Sequence, residues 1–149
     1  MAETISVGKP PAFGAIYWAT PAATSNETDT PIKCAGTTAA QGNAALVTQA
    51  TTNRLTYTGA TTREFFVTCT VGLSAAATAT TSKLHIYKGG VLVTGSTITR
   101  YISGSDIGAV AISAHVQLAT NSYVELFCET SDGDDLTIQN GVMSIRAID

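Results

Sequence analysis

The residues that could do chemistry are few and far apart. The chain has two histidines, His85 and His115. Each sits at an outward position of a strand-like run, where a lone imidazole is expected to be a surface group rather than a base or ligand. Glu125 and Glu129 share one strand face, but four residues along a strand span about 13 Å, too far for an unaided acid–base pair. No serine occupies a G-x-S-x-G elbow. Gly89-Gly90 follows Lys88 and opens no helix, so it reads as a hairpin turn and not a phosphate loop. Cys34, Cys69 and Cys128 show no C-x-x-C spacing. They are expected to be small buried residues with free thiols, which suits assembly in a reducing compartment. Asp132, Asp134 and Asp135 could offer oxygen ligands to calcium, with Gly133 allowing a sharp bend. The loop lacks an EF-hand's twelve-residue pattern, and a solvated turn is the expectation. No catalytic, metal or cofactor site is assigned, and the chain is not expected to be an enzyme.

Those residues sit on strands. Phe65, Val67, Cys69, Val71 and Leu73 fall on one parity of Arg63–Leu73, with mostly small or polar residues on the other. Successive strand side chains face opposite ways, so the run has one face in a core. Lys83–Val93 reads as a hairpin whose turn is Lys88-Gly89 or Gly89-Gly90, with Ile86, Val91 and Val93 expected on the core side in either case. Val110, Ile112, Ala114, Val116 and Leu118 make another core face, followed by a Thr120-Asn121-Ser122 turn and by Val124, Leu126 and Cys128. Weaker strands are expected at 45–49 and 54–57, and further ones at 136–138 and 142–148. Ser74–Ser82 is low in complexity and reads as a loop. Short strands at this spacing predict an all-β antiparallel sandwich.

The N-terminal part differs. All four prolines lie within the first 31 residues, and Pro10-Pro11 excludes a helix there. The segment also carries Phe13, Ile16, Tyr17 and Trp18, which a free tail would lack. Residues 1–35 are therefore expected to be an extended arm and linker that docks these side chains on something else. Residues 36–149 form the sandwich domain. Ala22–Thr30 reads as the polar linker.

Composition bounds the partners. At 149 residues the chain can bury one core. Only 13% of residues are charged, against about 25% in ordinary soluble domains. A surface so poor in charge tends to self-associate. Outward-parity Phe66, Tyr87, Leu92, Tyr123 and Phe127 are the expected subunit interface. Eight scattered basic residues and a net charge of −3 argue against nucleic acid. No run approaches the roughly 20 apolar residues of a membrane helix, and Met1–Thr4 shows no secretory leader.

The runs Leu55–Gly59, Arg63–Val71, Ile86–Val93 and Val116–Leu126 together resemble the jelly roll of the tumour necrosis factor and complement globular-head superfamily. The likeness covers roughly residues 50–149. It is similar in particular to phage-encoded versions found in capsid decoration (cement) proteins and in fibre or spike heads. The resemblance implies a homotrimer with strand-face aromatics along its axis. It further implies a virion component assembled in the host cytoplasm, with the major capsid protein as partner. The alternative it implies is a fibre or spike head that binds a host receptor or glycan.

Overall fold

The computed structural model describes residues 8–76, 79–104 and 106–149. It contains twelve strands and, among the described residues, no helix. They are β1 (Phe13–Thr20), β2 (Ala23–Thr24), β3 (Ile32–Lys33), β4 (Thr37–Ala40), β5 (Val47–Thr48), β6 (Leu55–Tyr57), β7 (Arg63–Ala75), β8 (Thr80–Lys88), β9 (Val91–Ile102), β10 (Gly108–Leu118), β11 (Tyr123–Thr130) and β12 (Leu136–Ala147). They form two antiparallel sheets. Sheet I has the order β10-β7-β12-β1-β4, with β2 paired to β12. Sheet II has the order β5-β6-β11-β8-β9, with β3 paired to β11. The expected sandwich is the observed fold.

Alternation builds the core as expected. Phe65, Val67, Cys69, Val71 and Leu73 of β7 are all at most 1% exposed. They face Leu84, Ile86, Val124, Leu126 and Cys128 of sheet II, equally buried. The β8–β9 turn is Gly89-Gly90, with φ of 56° and 81°, the double left-handed geometry of a primed hairpin that glycine adopts at no steric cost. One detail departs from simple parity. Tyr87 pairs with Leu92, but His85 pairs with Thr97, so β9 carries extra residues opposite Ile86. Gly95 bends there at φ 80°. The buried Ser96 hydroxyl lies 3.0 Å from Ile86 O and 2.7 Å from Val93 O, satisfying the broken ladder. Val93 packs partly against the core, whereas Val91, expected there too, flanks the turn and stays 69% exposed.

Three N-terminal and loop expectations are corrected. Phe13–Thr20 is not a detached arm. It is a strand of sheet I, hydrogen-bonded to β12 on one side and β4 on the other. Ile16 (0% exposed) and Trp18 (4%) point into the protein's own core, and Trp18 Nε1 donates to Ala35 O at 3.1 Å. The boundary between arm and domain near residue 35 therefore cuts through one sandwich. The supposed linker is also docked: β2 pairs with β12, Asn26 is buried, and Asp29 N–H donates to Thr130 O. The low-complexity loop is shorter than expected, because Ser74-Ala75 extend β7 and Thr80–Ser82 begin β8. Ala77 and Thr78 lie outside the described residues.

Buried Arg63 ties the two ends of the fold together. Its Nε donates to Asp149 Oδ1 at 2.9 Å, Nη2 to Asp149 O and Nη1 to Pro10 O. Lys9 pairs with the same carboxylate at 2.7 Å. Hydrogen bonds from Lys9 and then Arg63 hold the Asp149 carboxyl down at about 2.

Candidate interaction surfaces

The expected interface residues divide between the two outer faces of the sandwich. Tyr87, Leu92, Tyr123 and Phe127 belong to sheet II, whereas Phe66 lies on sheet I. They do not form one surface, because sheet membership separates β7 from β8 and β11.

The outer face of sheet II is closed by its own side chains. Glu125, 3% exposed, accepts from Lys33 Nζ at 2.7 Å and from Arg54 Nη2 at 2.9 Å. The Arg54 guanidinium lies 3.7 Å from the centre of the Tyr123 ring, a cation–π contact. Tyr87 and Phe127 stack with centroids 3.9 Å apart. Glu129, 6% exposed, pairs with Lys83 at 2.6 Å, and Lys83 reaches Asp29 at 3.4 Å. The hydrogen bond to Glu129 raises the Lys83 ammonium above its ordinary value. The two carboxylates thus have separate cationic partners and do not act together.

His85 corrects its sequence reading. It occupies an outward position, yet neighbouring side chains leave it only 5% exposed. Its Nδ1 lies 2.9 Å from Thr97 Oγ1 and its Nε2 3.7 Å from Glu129 Oε1. Desolvation lowers its pKa below the ordinary 6.5, against the raising effect of Glu129. The native state therefore binds fewer protons than the unfolded chain in the window just below pH 6.5. Stability contributed by neutral His85 is complete above that value and is lost as pH falls toward the folded pKa. The expected result is a thermal midpoint that declines between pH 7 and 5, with a shallower decline in His85→Gln. Equal slopes would contradict it. The Asp149 contribution is lost at lower pH, between 3.8 and about 2, so the two windows separate.

The outer face of sheet I is built differently. Register places Phe13, Arg146, Phe66 and His115 in one row across β1, β12, β7 and β10. Phe66 meets the His115 ring edge-on at 5.1 Å. The next row is Ala15, Ser144, Thr68 and Ser113, with the Thr68 and Ser144 hydroxyls 2.8 Å apart. The next is Tyr17, Val142, Thr70 and Ala111. Across these three rows the only permanent charge is Arg146. A recess of about 310 Å³ opens on this face between Phe13, Ala15, Ser144 and Arg146.

The adjoining edge is equally bare. β9 and β10 are the outermost strands of their sheets on the same side of the sandwich. They are 12 and 11 residues long, and their only basic or acidic groups are Arg100 and His115. Val91, Leu92 and Tyr101 are exposed along β9, and Ile107 (59%) just before β10. Two grooves run between these strands. One, of about 410 Å³, is lined by Lys88, Leu92, Val93, His115 and Gln117; the other, of about 400 Å³, by Thr99, Arg100, Tyr101, Ala109 and Ala111, so each carries one permanently cationic side chain. Natural sheets protect long edges with charge, proline or brevity. The opposite edges follow that rule: β4 has four residues and β5 has two. Of the expected docking residues Phe13 and Tyr17 are exposed on the sheet I face; sequence reasoning did not single out Tyr101 or Ala111, although the absence of permanent charge from 107–118 is legible in the sequence.

Asp132, Asp134 and Asp135 shape their own turn. Asp132 Oδ1 accepts from Thr80 Oγ1 at 2.6 Å and from Asp134 N, and Asp135 Oδ1 accepts from Asn26 N. The hydrogen bond from Thr80 lowers the Asp132 pKa. Among the described residues no group of three His, Cys, Asp or Glu converges to hold a metal ion.

No family model matches the chain, and no curated protein matches it by sequence. Solved structures do match in shape. Murine APRIL at pH 5.0 superposes with a TM-score of 0.63 at 7% identity, covering 93% of this chain and 100% of that one. Eiger TNF from S. frugiperda gives 0.61 at 9% identity, covering 95% and 94%. The globular domain of zebrafish complement 1qA protein gives 0.57 at 14% identity, covering 94% and 98%. At these identities the likeness is one of fold: over nearly its whole length the chain is a jelly-roll sandwich of the TNF and complement globular-head type.

Proposed function

We propose that this chain is a structural virion protein, a homotrimer that decorates and stabilises a phage head. The observation that carries the assembly is the placing of its uncharged surface. The β9–β10 edge and the sheet I face are both broad, poor in charge and adjacent, while sheet II is sealed by ion pairs. An edge of one copy packed on the sheet I face of the next is a heterologous contact. Such contacts close into a ring when the rotation permits, and three copies satisfy every edge. Sheet II then forms the outer wall.

The role is mechanical. Glu125 and Glu129 are engaged in separate ion pairs with Lys33, Arg54 and Lys83. The phage setting is supported by the sequence resemblance to phage-encoded cement domains. Attachment to the major capsid protein does not use Ile16 or Trp18, which are core residues, and Phe13 and Tyr17 lie on the face assigned to the neighbouring copy. Sedimentation equilibrium is expected to give three times the 15.3 kDa subunit mass, and the trimer should co-sediment with purified heads in hundreds of copies. A monomer removes the assembly reading; a trimer that ignores heads removes the decoration reading. The half-exposed Tyr87–Phe127 stack on the outer wall favours a second reading, a fibre or spike head that binds a host receptor or glycan. That reading predicts few copies per virion.

A further inference from the structure

The segment before β4 is attached to sheet II by a short ladder. β3 pairs with β11 only at Ile32–Cys128 and Lys33–Phe127, and Cys34 N–H extends the pairing to Leu126 O at 3.0 Å. Cys34, two residues beyond Ile32, is therefore the diagonal cross-strand neighbour of Cys128, on the same inward side. Both are buried, at 1% and 0% exposure, and each thiol shifts the protonation of the other. The surroundings are polar for a core. The Cys128 thiol lies 3.8 Å from Asn26 Oδ1 and also meets the Thr24 hydroxyl. The hydrogen bond from Cys34, foremost, lowers the Cys128 pKa, while burial pushes Cys34 up. Cys69 is set apart. It lies on β7 of the opposite sheet between Ile112 and Met143, and burial alone raises it to about 12.

We propose that Cys34 and Cys128 are a site of reversible disulfide formation by exchange with a low-molecular-weight disulfide, and that the cross-link locks residues 22–36 onto β11. The Cys128 thiolate attacks one sulfur of the small disulfide, forming a mixed disulfide and expelling one thiolate, which takes up the proton Cys128 lost. Cys34 then gives up its proton and attacks Cys128 Sγ. The second small thiolate leaves and takes that proton. Two protein thiols are oxidised and one small disulfide is reduced to two thiols. Neither sulfur is reachable in the closed fold, and diagonal cross-strand neighbours stand about 7–8 Å apart, past the reach of a disulfide without backbone movement, so exchange and closure both proceed through opening and shift of the segment. β2 and β3, two residues each, make that segment a low-cost opening unit. Chains made in a reducing compartment would keep three thiols and gain the lock on release into an oxidising one.

Incubation of the full chain with oxidised glutathione tests this. The expected product is a chain two hydrogens lighter with one titratable thiol left, and a non-reduced peptide map linking the peptides that carry Cys34 and Cys128. Cys69→Ala should give the same link. Cys34→Ala should instead retain glutathione on Cys128. The locked chain should show an unfolding equilibrium constant lowered roughly thirtyfold or more, since the cross-link closes a long loop. Three free thiols persisting in mild urea, where the segment opens, would overturn the proposal. So would a map that places Cys69 in the bond.

Discussion

A chain that begins at Pro31 does not fold. β1 is not peripheral: it lies between β12 and β4, paired from Phe13–Arg146 to Tyr17–Val142 on one side and from Ile16–Ala40 to Thr20–Thr37 on the other. Its removal leaves β4 with no partner and opens the edge of β12. It also empties the core of Ile16 and Trp18, both nearly fully buried. Truncating a buried Trp to Ala costs about 3–5 kcal/mol and a buried Ile about 2–5 kcal/mol. Together these approach the whole stability of a domain, about 5–15 kcal/mol, before the lost ladders are counted. Pro10 O and Lys9, partners of Arg63 and Asp149, go as well. The truncated chain should show no cooperative thermal transition by circular dichroism. Trp18→Ala alone should stay folded with its midpoint lowered by roughly 10 °C. A cooperative melt in the truncated chain would restore the detached-arm reading.

How far the sequence reaches depends on whether a feature is local. The alternation from Phe65 to Leu73, the Gly89-Gly90 turn and the strands on either side of Asn121 are local, and the structure repeats them. β1 carries the same alternation: Gly14, Ile16 and Trp18 point inward against Phe13, Ala15 and Tyr17. Aromatics on both parities obscured it, and prolines at 10, 11 and 21 made the segment look like an arm. They bracket the strand rather than interrupt it. Non-local features were out of reach. Nothing in Phe66 and Phe127 themselves says that they lie on opposite faces, because that depends on which strands pair. His85 stands at an outward position, and its burial comes from side chains of β8, β9 and β11. The Cys34–Cys128 contact exists only because β3 pairs with β11, a two-residue ladder with no periodic signature. The sheet I face shows a middle case. Its lack of charge is compositional and legible, but the rows that align Phe13 with Phe66 require the register.

Thr70→Glu separates the proposed trimer into folded monomers. Thr70 is exposed at the centre of the sheet I face, opposite Val142 on one side and Ala111 on the other. In the isolated subunit a carboxylate there is solvated and costs the fold less than about 1 kcal/mol. In the ring each carboxylate lies under a neighbour's β9–β10 edge. Its own face offers only Arg146 and His115 as cationic groups, both two rows away, and the neighbour's edge offers one exposed arginine, Arg100. Burying an ion costs several kcal/mol even after relaxation, and an arginine across the contact offsets only part of that; the ring has three such sites. At about 1.4 kcal/mol per factor of ten, the association constant falls by roughly tenfold or more for each site. Sedimentation at micromolar concentration should give the subunit mass, with the circular dichroism spectrum unchanged. Thr30→Glu supplies the control. It adds the same charge at an exposed position beside Asp29, whose N–H bonds Thr130 at the end of β11 on sheet II. That surface faces outward in the ring, so the control should remain trimeric. If Thr70→Glu also stays trimeric, the sheet I face is not the buried one; if both variants dissociate, the sealed face of sheet II takes part in assembly after all.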